Sequence, residues 1–315
     1  MAEFSRLGGE TMGTFWSVQF ADPLRRDLHA LHATAEQALD LVVAQMSTWE
    51  PNSEISRFND APAGTWVPVS KEFMDVLQCA VETAHVSAGA FDPCVGRLVS
   101  LWGFGAHASD HTSRSQITDA LHLSNFRHLQ VNPADRTVLQ TGHISLDLSA
   151  IAKGFAVDLL ASRLQEHGVS AALVEVGGEL FAFGESSRGG AWNVLLETGA
   201  DEDGALGDPR VIALNGSAVA TSGDRWFRHE RDNRLVSHSI DPRSGEPIAN
   251  SVAAVTVIHQ KTMQADALAT ALSVMGINQG LAFAHAHGIA ARFVERTADG
   301  AREHFSDSFE RHLVS

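Results

Sequence analysis

The sequence predicts an α+β fold in which mixed or antiparallel sheets pack against helices. Stretches with the hydrophobic spacing of helices and stretches with the spacing of strands both occur along its 315 residues. The strand-like stretches follow one another in runs, without the regular alternation with helices that a doubly wound parallel sheet requires. We therefore expect one domain over residues 1–315, with a smaller subdomain around residues 90–145.

Helices are predicted where apolar residues recur at intervals of three and four. Ser70 and Ser149 stand where N-caps are expected, and Gly89 and Gly168 stand where helices commonly end. The predicted helices cover residues 27–46, 70–89, 149–168, about 262–275 with Gly276 behind it, and roughly 278–287.

Strands are predicted for shorter apolar runs bounded by turn residues. These runs are residues 172–176, 180–183, 192–197, 211–214, 217–220, 235–240 and 252–258. Two segments are predicted to be loops because they are rich in small and polar residues. They are residues 103–116 and the acidic, glycine-rich residues 199–209, which suit a hairpin tip.

Charge and composition exclude several classes of protein. Lysine and arginine total 23 while aspartate and glutamate total 38, so the net charge is −15 and a nucleic acid is not an expected partner. No uncharged apolar run approaches the roughly 20 residues of a transmembrane helix, so no such segment is expected. Cys79 and Cys94 are too few for a disulfide scaffold or a four-cysteine zinc site. With no signal peptide visible, we expect a cytoplasmic protein, or an exported one whose signal segment is missing here.

The predicted helix over residues 262–275 contains a carboxylate in an apolar setting. Residues 265–275 are almost all small or apolar, as in a buried helix, yet Asp266 and Thr270 share one face at a spacing of four. Burying a carboxylate costs on the order of several kcal/mol unless a cation or hydrogen-bond donors compensate it. One interpretation is a Mg²⁺ or Ca²⁺ ion bound by the carboxylate and the hydroxyl. The other is a carboxylate that caps a helix start, with Thr270 bonded to its own backbone.

A second candidate site lies where the strand-like residues 144–148 lead into the helix that follows Ser149. The N-terminus of a helix presents free N–H groups and a positive dipole end, which suit an anion such as phosphate. Lys153 in the first turn opposes the dipole, which a nearby phosphate would explain, although a solvated lysine is the simpler interpretation. Gly154 permits another backbone or a ligand to approach closely.

Three further segments carry weaker signals. They are Gly177-Gly178, residues 221–224 and residues 237–242, and plain turn chemistry explains each of them equally well. His238 lies among predicted strand residues, where a structural histidine is the simpler interpretation. From the residues alone, the sequence indicates a metal and phosphate site and no specific reaction.

Taken in order, eight segments resemble the FAD:protein FMN transferase family of ApbE-like proteins. The segments are Met12-Gly13-Thr14, MSTWEPNSEISRFN (46–59), GAFDPCVGRLVSLWGFG (89–105), LDLSAIAKGFAVD (146–158), VEVGGEL (174–180), ATSGD (220–224), SHSIDPRSGEP (237–247) and ADALATALSVMG (265–276). They span residues 12–276 in the order of the family, so the resemblance is much more specific than a match to one short motif.

The resemblance implies a fold related to the T-fold and an enzyme that uses FAD and Mg²⁺. It would transfer FMN to a Thr or Ser hydroxyl of an acceptor flavoprotein with a motif like Asp-Gly-x-Thr/Ser-Gly-Ala-Thr, releasing AMP. By position, the side chains of Asp266 and Thr270 and the carbonyl of Ala150 would hold Mg²⁺. Asp266 and His238 would be the catalytic residues, His238 as general base. The residues implied to line the FAD site are Met12, Trp49, Ala90, Phe91, Asp92, Asp147, Lys153 and Ile240.

Two residues depart from the family pattern. Trp49 stands where Tyr is common and offers ring surface without a hydroxyl, and Cys94 stands where Thr is common. Three alternatives to a transferase stay open at this point. They are a Mg²⁺-dependent FAD pyrophosphatase that releases FMN and AMP, a non-catalytic flavin-binding protein, and an α+β protein in which Asp266 is only a cap.

Overall fold

A computed structural model describes residues 4–22, 25–109, 112–196, 200–201, 204–205, 209–223, 228–231 and 234–314. These residues form an α+β fold, as the sequence predicts. The α-helices are α1 (Leu28–Met46), α2 (Glu54–Asn59), α3 (Lys71–Val86), α4 (Gly96–Leu101), α5 (Arg114–Leu123), α6 (Ser149–Glu166), α7 (Thr262–His287) and α8 (Asp307–Glu310).

Every strand pair among the described residues is antiparallel. The strands are β1 (Phe4–Thr11), β2 (Thr14–Ala21), β3 (Thr65–Pro68), β4 (Gln130–Asn132), β5 (Thr137–Gln140), β6 (Ala172–Val176), β7 (Glu179–Phe183), β8 (Trp192–Leu196), β9 (Ala200–Asp201), β10 (Gly204–Ala205), β11 (Arg210–Leu214), β12 (Ser217–Gly223), β13 (Arg228–Arg231), β14 (Arg234–Ser237), β15 (Ile240–Asp241), β16 (Glu246–Pro247), β17 (Val252–His259), β18 (Ala290–Thr297) and β19 (Gly300–Phe305).

The chain divides into two compact units. The first unit contains residues 1–41, 153–225 and 251–315, and the second contains residues 42–152 and 226–250.

The first unit is built on an eight-stranded antiparallel sheet with the order β1-β2-β6-β7-β12-β17-β18-β19. Successive residues of a strand point to opposite faces, and both faces of this sheet are apolar. Val257 packs on one face with Leu272 of α7, whereas Ile258 packs on the other face with Trp192 and Phe309. Helix α7 therefore lies on one face of the sheet, and β8 and α8 pack on the opposite face.

Helix α7 contains the two helices predicted for residues 262–275 and 278–287. They form one element with a break at Gly276, whose φ of 75° and ψ of 179° are not helical. Within the described residues, α7 is the one helix long and apolar enough to cross a membrane, and 50% of its most apolar window is buried inside the protein. Packing against the sheet gives these apolar side chains a place in the core.

The start of α7 is capped by a residue from another helix. The carboxylate of Asp158 in α6 accepts hydrogen bonds from the Thr262 N–H at 3.0 Å, the Thr262 hydroxyl at 2.9 Å and the Met263 N–H at 3.1 Å. Lys261, which occupies the N-cap position, makes no side-chain cap bond. Asp158 therefore replaces the local cap and joins α6 to α7.

The second unit contains the sheet β3-β5-β4 and helices α2 to α5. Local capping explains where two of the helices begin. The Ser70 hydroxyl accepts the Phe73 N–H at the start of α3, as the sequence predicts. Ser113 and Gln116 form a reciprocal capping box at the start of α5.

The predicted loop over residues 103–116 is too long by one helical turn. The capping box of Ser113 starts α5 at Arg114, so the last three residues of the segment are helical. Helices α2 and α4 were not predicted, because six residues are too few to display a hydrophobic period.

The predicted strand over residues 235–240 is interrupted. Strand β14 ends at Ser237 and β15 begins at Ile240. The Ser239 N–H donates to the Ser237 hydroxyl at 3.2 Å, a local bond that turns the chain and leaves His238 outside both strands. Most of the predicted hairpin tip of residues 199–209 lies outside the described residues, although β9 pairs with β10 there. Asp224 of the ATSGD segment also lies outside them.

We expect Asp158→Ala to lower the free energy of unfolding by about 2 kcal/mol, because two backbone N–H groups and a hydroxyl lose their acceptor. Urea denaturation followed by circular dichroism measures this loss. Asp119→Ala is the control, since Asp119 is exposed on α5 and makes no hydrogen bond through its side chain to the described residues. Equal stability of the two variants would show that Asp158 does not hold the start of α7.

Candidate active site

The residues implicated by the sequence fall in both units. The first unit contains Met12, Lys153, Asp266 and Thr270. The second contains Trp49, Ala90, Phe91, Asp92, Asp147, Ala150, His238 and Ile240. In the first unit, direct contacts connect Lys153 and Gly154 of α6 with two buried acids, Asp266 of α7 and Glu179 of β7.

Asp266 lies in the second turn of α7 and is only 6% exposed. Its Oδ2 atom accepts a hydrogen bond from the Gly154 N–H at 3.0 Å. Burial raises the pKa of this carboxyl, and the charge of Lys153 and the bond from Gly154 act in the opposite direction. The carboxylate is therefore buried as its apolar helix predicts, but its hydrogen-bond donor belongs to α6 and not to the start of its own helix.

Lys153 forms an ion pair with Glu179, with 2.6 Å between Nζ and Oε1. Burial lowers the pKa of Lys153, but the carboxylates of Glu179 and Asp266 outweigh burial, and the pKa is raised. Burial also raises the pKa of the Glu179 carboxyl, although the lysine opposes this shift. The interpretation of Lys153 as a solvated surface lysine is wrong.

Two oxygen atoms of α7 have no hydrogen-bond partner among the residues that the structure describes. They are Oδ1 of Asp266 and the hydroxyl of Thr270, one helical turn further along. In the same helix, Ser273 donates its hydroxyl to the Ala269 carbonyl at 2.9 Å, so Thr270 differs from a backbone-bonded residue. A carboxylate oxygen and a hydroxyl on one helix face are oxygen ligands of the kind that Mg²⁺ takes. The donor set of this chain therefore fits a hard divalent cation.

The contact between α6 and α7 depends on the missing side chain of Gly154. A Cβ atom at this position would lie 2.5 Å from the Thr262 carbonyl oxygen and 2.9 Å from the Asp266 Cβ. The close approach expected at Gly154 is thus confirmed, and what approaches is the backbone of α7.

Met12 occupies the tip of the β1–β2 hairpin. Met12 and Gly13 form its two-residue turn with φ values of 49° and 70°, as in a type I′ turn. A positive φ is uncommon for methionine, so the hairpin constrains this residue. Gly177 lies next to both the hairpin and the lysine, since a Cβ at this glycine would lie 2.9 Å from Thr14 Cγ2 and 3.3 Å from Lys153 Cδ.

In the second unit, Asp92 anchors the chain that follows α3. It is 6% exposed, and its two oxygens accept the Cys94 N–H at 2.8 Å and the Phe126 N–H at 3.0 Å. Burial raises the pKa of this carboxyl to about 6. Ala90 and Phe91 are buried as well. Both oxygens of Asp92 are therefore engaged by the second unit's own backbone.

Asp147 and Ala150 mark the start of α6. Oδ1 of Asp147 accepts the Ser149 N–H at 2.8 Å, which caps the helix. Ala150 is half-buried and is the second helical residue. In a regular helix its carbonyl accepts the N–H four residues later, that of Gly154. In the first unit, the Gly154 N–H donates to the Asp266 carboxylate.

His238, Ile240 and Trp49 have contrasting surroundings. The half-buried His238 ring lies edge-to-face with Phe104 at 6.4 Å between ring centroids. Ile240 is buried in an apolar cluster of the second unit. Trp49 is 71% exposed, whereas Phe91 is buried. Of these two aromatic residues, Trp49 presents its ring for stacking.

Glu179 is a site residue that the sequence reasoning did not select. It follows Gly177-Gly178, which form the predicted turn with φ values of 62° and 101°. The available signal is an acidic residue at the start of an apolar strand, because a carboxylate drawn into a sheet needs a cationic partner. No pattern in the sequence near Glu179 indicates that its partner is Lys153.

Fold and site together define an α+β protein in which a buried aspartate of α7 accepts a hydrogen bond from the backbone of α6. Residues 12–293 match the model of the ApbE family, and the chain belongs to that family. The FAD:protein FMN transferase of Vibrio cholerae is 35% identical to it over 99% of this chain and 93% of the relative. The protein of the same name from Escherichia coli K12 is 32% identical over 99% of this chain and 90% of the relative.

Solved structures of this family are similar over their whole length. The flavin transferase ApbE from Vibrio cholerae has a TM-score of 0.89 at 35% identity and covers 99% of this chain and 100% of its own. The apo form of the flavinyl transferase ApbE from Pseudomonas stutzeri has a TM-score of 0.90 at 34% identity, covering 100% of this chain and 98% of its own. The family resemblance and the α+β fold that it implies are therefore confirmed.

We expect Gly154→Ala to destabilise the protein by about 2 kcal/mol, because overpacking against a backbone outweighs the roughly 1 kcal/mol that alanine contributes to a helix interior. Chemical denaturation measures the loss. Ser162→Ala, at an exposed position of the same helix, is the matched control. A Gly154→Ala variant as stable as wild type would contradict the close contact between α6 and α7.

Proposed function

We propose that this protein catalyses the Mg²⁺-dependent transfer of FMN from FAD to a Thr or Ser hydroxyl of an acceptor flavoprotein, with release of AMP. Membership of the ApbE family and similarity to proteins named FAD:protein FMN transferases support this reaction. The structural observation that carries it is the pair of available oxygens on Asp266 and Thr270, beside a half-buried lysine.

We assign the cation to the side chains of Asp266 and Thr270 and to the carbonyl of Ala150. Oδ1 of Asp266 and the Thr270 hydroxyl have no hydrogen-bond partner among the described residues, and the family resemblance implies the Ala150 carbonyl as the third ligand. When bound, Mg²⁺ neutralises negative charge on the phosphate oxygens and on the AMP leaving group.

Lys153 supplies a second positive charge for the diphosphate of FAD. Its ammonium is held by Glu179, and its side chain is 34% exposed, so it can contact a ligand without losing its partner. Lys153 is the fifth residue of α6, where a cation near the helix start opposes the helix dipole, and a bound phosphate offsets that cost. Lys153 and the N-terminus of α6 would together bind and orient the phosphates.

The remaining residues of the family pattern would form the walls of the FAD site. Trp49 exposes its indole ring and can stack on one of the ring systems of FAD. Hydrogen bonds and packing within the second unit hold the Ala90-Phe91-Asp92 run, Asp147 and Ile240. We therefore propose that these residues contribute backbone groups and the shape of the pocket wall. Met12 would contribute from its constrained hairpin turn.

The acceptor hydroxyl attacks the phosphorus of the FMN half, the bond to the AMP oxygen breaks, and the hydroxyl proton must leave. We assign that proton to Nε2 of His238, because the Nδ1 atom of this ring is buried. Holding the hydroxyl in line with the leaving oxygen matters as much as the base. An acceptor motif like Asp-Gly-x-Thr/Ser-Gly-Ala-Thr and a location in the cytoplasm or outside it stay predictions.

The experiment that tests the function uses the protein with FAD, Mg²⁺ and an acceptor domain carrying that motif. We expect mass spectrometry to show FMN attached to the acceptor and stoichiometric AMP. Free FMN in place of the adduct would indicate a pyrophosphatase, and intact FAD would indicate a flavin-binding protein. Either outcome contradicts the proposed transfer.

In the same assay we expect Asp266→Asn to lower the transfer rate by at least about 100-fold, because the amide retains the shape but loses the charge that holds the cation. Excess chelator should reduce wild type to the same level. Asp119→Asn, an exposed change on α5, should leave the rate unchanged. Full activity of Asp266→Asn, or of wild type in chelator, would show the metal assignment to be wrong.

We expect His238→Ala to reduce the maximal rate by at least about tenfold at neutral pH, the smallest loss compatible with a general base. The thermal unfolding midpoint should change little, since the ring is only half-buried. A smaller loss of rate would assign the proton to another acceptor, such as water.

A further inference from the structure

The ion pair between Lys153 and Glu179 is asymmetric. The side chain of Lys153 is 34% exposed and that of Glu179 is 3% exposed, although their charged atoms lie 2.6 Å apart. Lys153 can therefore reach a ligand and Glu179 cannot. Whatever Glu179 contributes to the reaction, it contributes through the lysine.

The lysine is held along its stem as well as at its tip. A Cβ on Gly177 would lie 3.3 Å from Lys153 Cδ and 3.5 Å from Glu179 Oε2. Gly177 has a φ of 62°, which a glycine adopts without strain. This turn lets the backbone lie against both members of the ion pair.

Glu179 is a costly residue if stability is its only purpose. Its Oε2 atom is buried and has no hydrogen-bond partner among the residues that the structure describes. An unsatisfied buried charged oxygen is unfavourable, and apolar residues can replace a buried ion pair without loss of stability. Packing of the core therefore does not explain why a carboxylate occupies this position.

The charges nearby supply that explanation. Lys153 interacts electrostatically with both Glu179 and Asp266, so two carboxylates compete for one ammonium. An ammonium paired directly with Asp266 would occupy the carboxylate that we assign to the cation. Glu179 binds the ammonium instead, and Oδ1 of Asp266 stays available.

We propose that Glu179 is a positioning residue that keeps the Lys153 ammonium off Asp266, so that the lysine and a divalent cation can act on the same diphosphate. This inference rests on the proposed function, because it needs a cation at Asp266. No bond is made or broken by Glu179 itself.

The test uses Mg²⁺ alone, with thermal unfolding of the whole protein as the readout. We expect Mg²⁺ to raise the unfolding midpoint of wild type, and Glu179→Gln to need about tenfold more Mg²⁺ for half the effect, because the freed ammonium then pairs with Asp266. Adding Lys153→Met should restore the wild-type Mg²⁺ requirement to within about twofold. Rescue by removing the lysine is not expected if Glu179 has only a structural role.

Asp75→Asn is the matched control. Asp75 pairs with Lys71 at the same 2.6 Å, on an exposed helix face outside the site. Breaking that pair should change neither the Mg²⁺ requirement nor the kinetics. Under saturating Mg²⁺, Glu179→Gln should lower kcat for FMN transfer by about tenfold with an unchanged KM for FAD, whereas Glu179→Asp should retain most of the activity.

The outcomes separate the two proposals. If Mg²⁺ does not shift the wild-type midpoint, the cation site fails and the role of Glu179 fails with it. If Mg²⁺ shifts wild type and Glu179→Gln equally, or if Lys153→Met does not rescue, only the role of Glu179 is wrong. Should Glu179→Gln not fold, Lys153→Met alone decides, because the inference requires it to bind Mg²⁺ at least as tightly as wild type.

Discussion

Two carboxylates, one on α6 and one on α7, each accept hydrogen bonds from the backbone of the other helix and support the site in the first unit. Asp158 of α6 holds the first N–H groups of α7, and Asp266 of α7 holds the N–H of Gly154 in α6. All three bonds require the helices to touch, and this close contact is possible because Gly154 has no Cβ. Without this contact, a buried Asp266 would have no backbone donor, and its pKa would rise further.

The charges around this contact are unequal in number. One ammonium, that of Lys153, faces two buried carboxyl groups, and when both of these are ionised the group is one positive charge short of neutrality. A low-dielectric interior makes such an imbalance unfavourable unless a cation joins it. The same imbalance suits a diphosphate substrate, because a divalent ion beside Lys153 would leave the site positive. Stability would favour a neutral group, whereas catalysis requires Lys153, Glu179 and Asp266 to be charged. The buried carboxylate of Glu179 serves the catalytic requirement.

Much of this arrangement could be predicted from residues close together in sequence. The apolar composition of α7 identified Asp266 as a buried carboxylate, and its spacing from Thr270 placed both on one face. Lys153 stood out because it opposes the dipole of its own helix. The sequence predicts His238 in a strand, but it lies in a turn. The Ser239 N–H donates to the Ser237 hydroxyl, and this local bond interrupts the strand.

What the sequence determined by itself is therefore local: where helices and strands occur, which helix is buried, and which residue types resemble those of the ApbE family. Only the tertiary structure decided which partner each charge has. Lys153 meets Glu179 across 26 positions, and Gly154 meets Asp266 across 112. Such pairs leave no period or spacing in the chain, because strand order and helix packing bring them together after the local elements have formed.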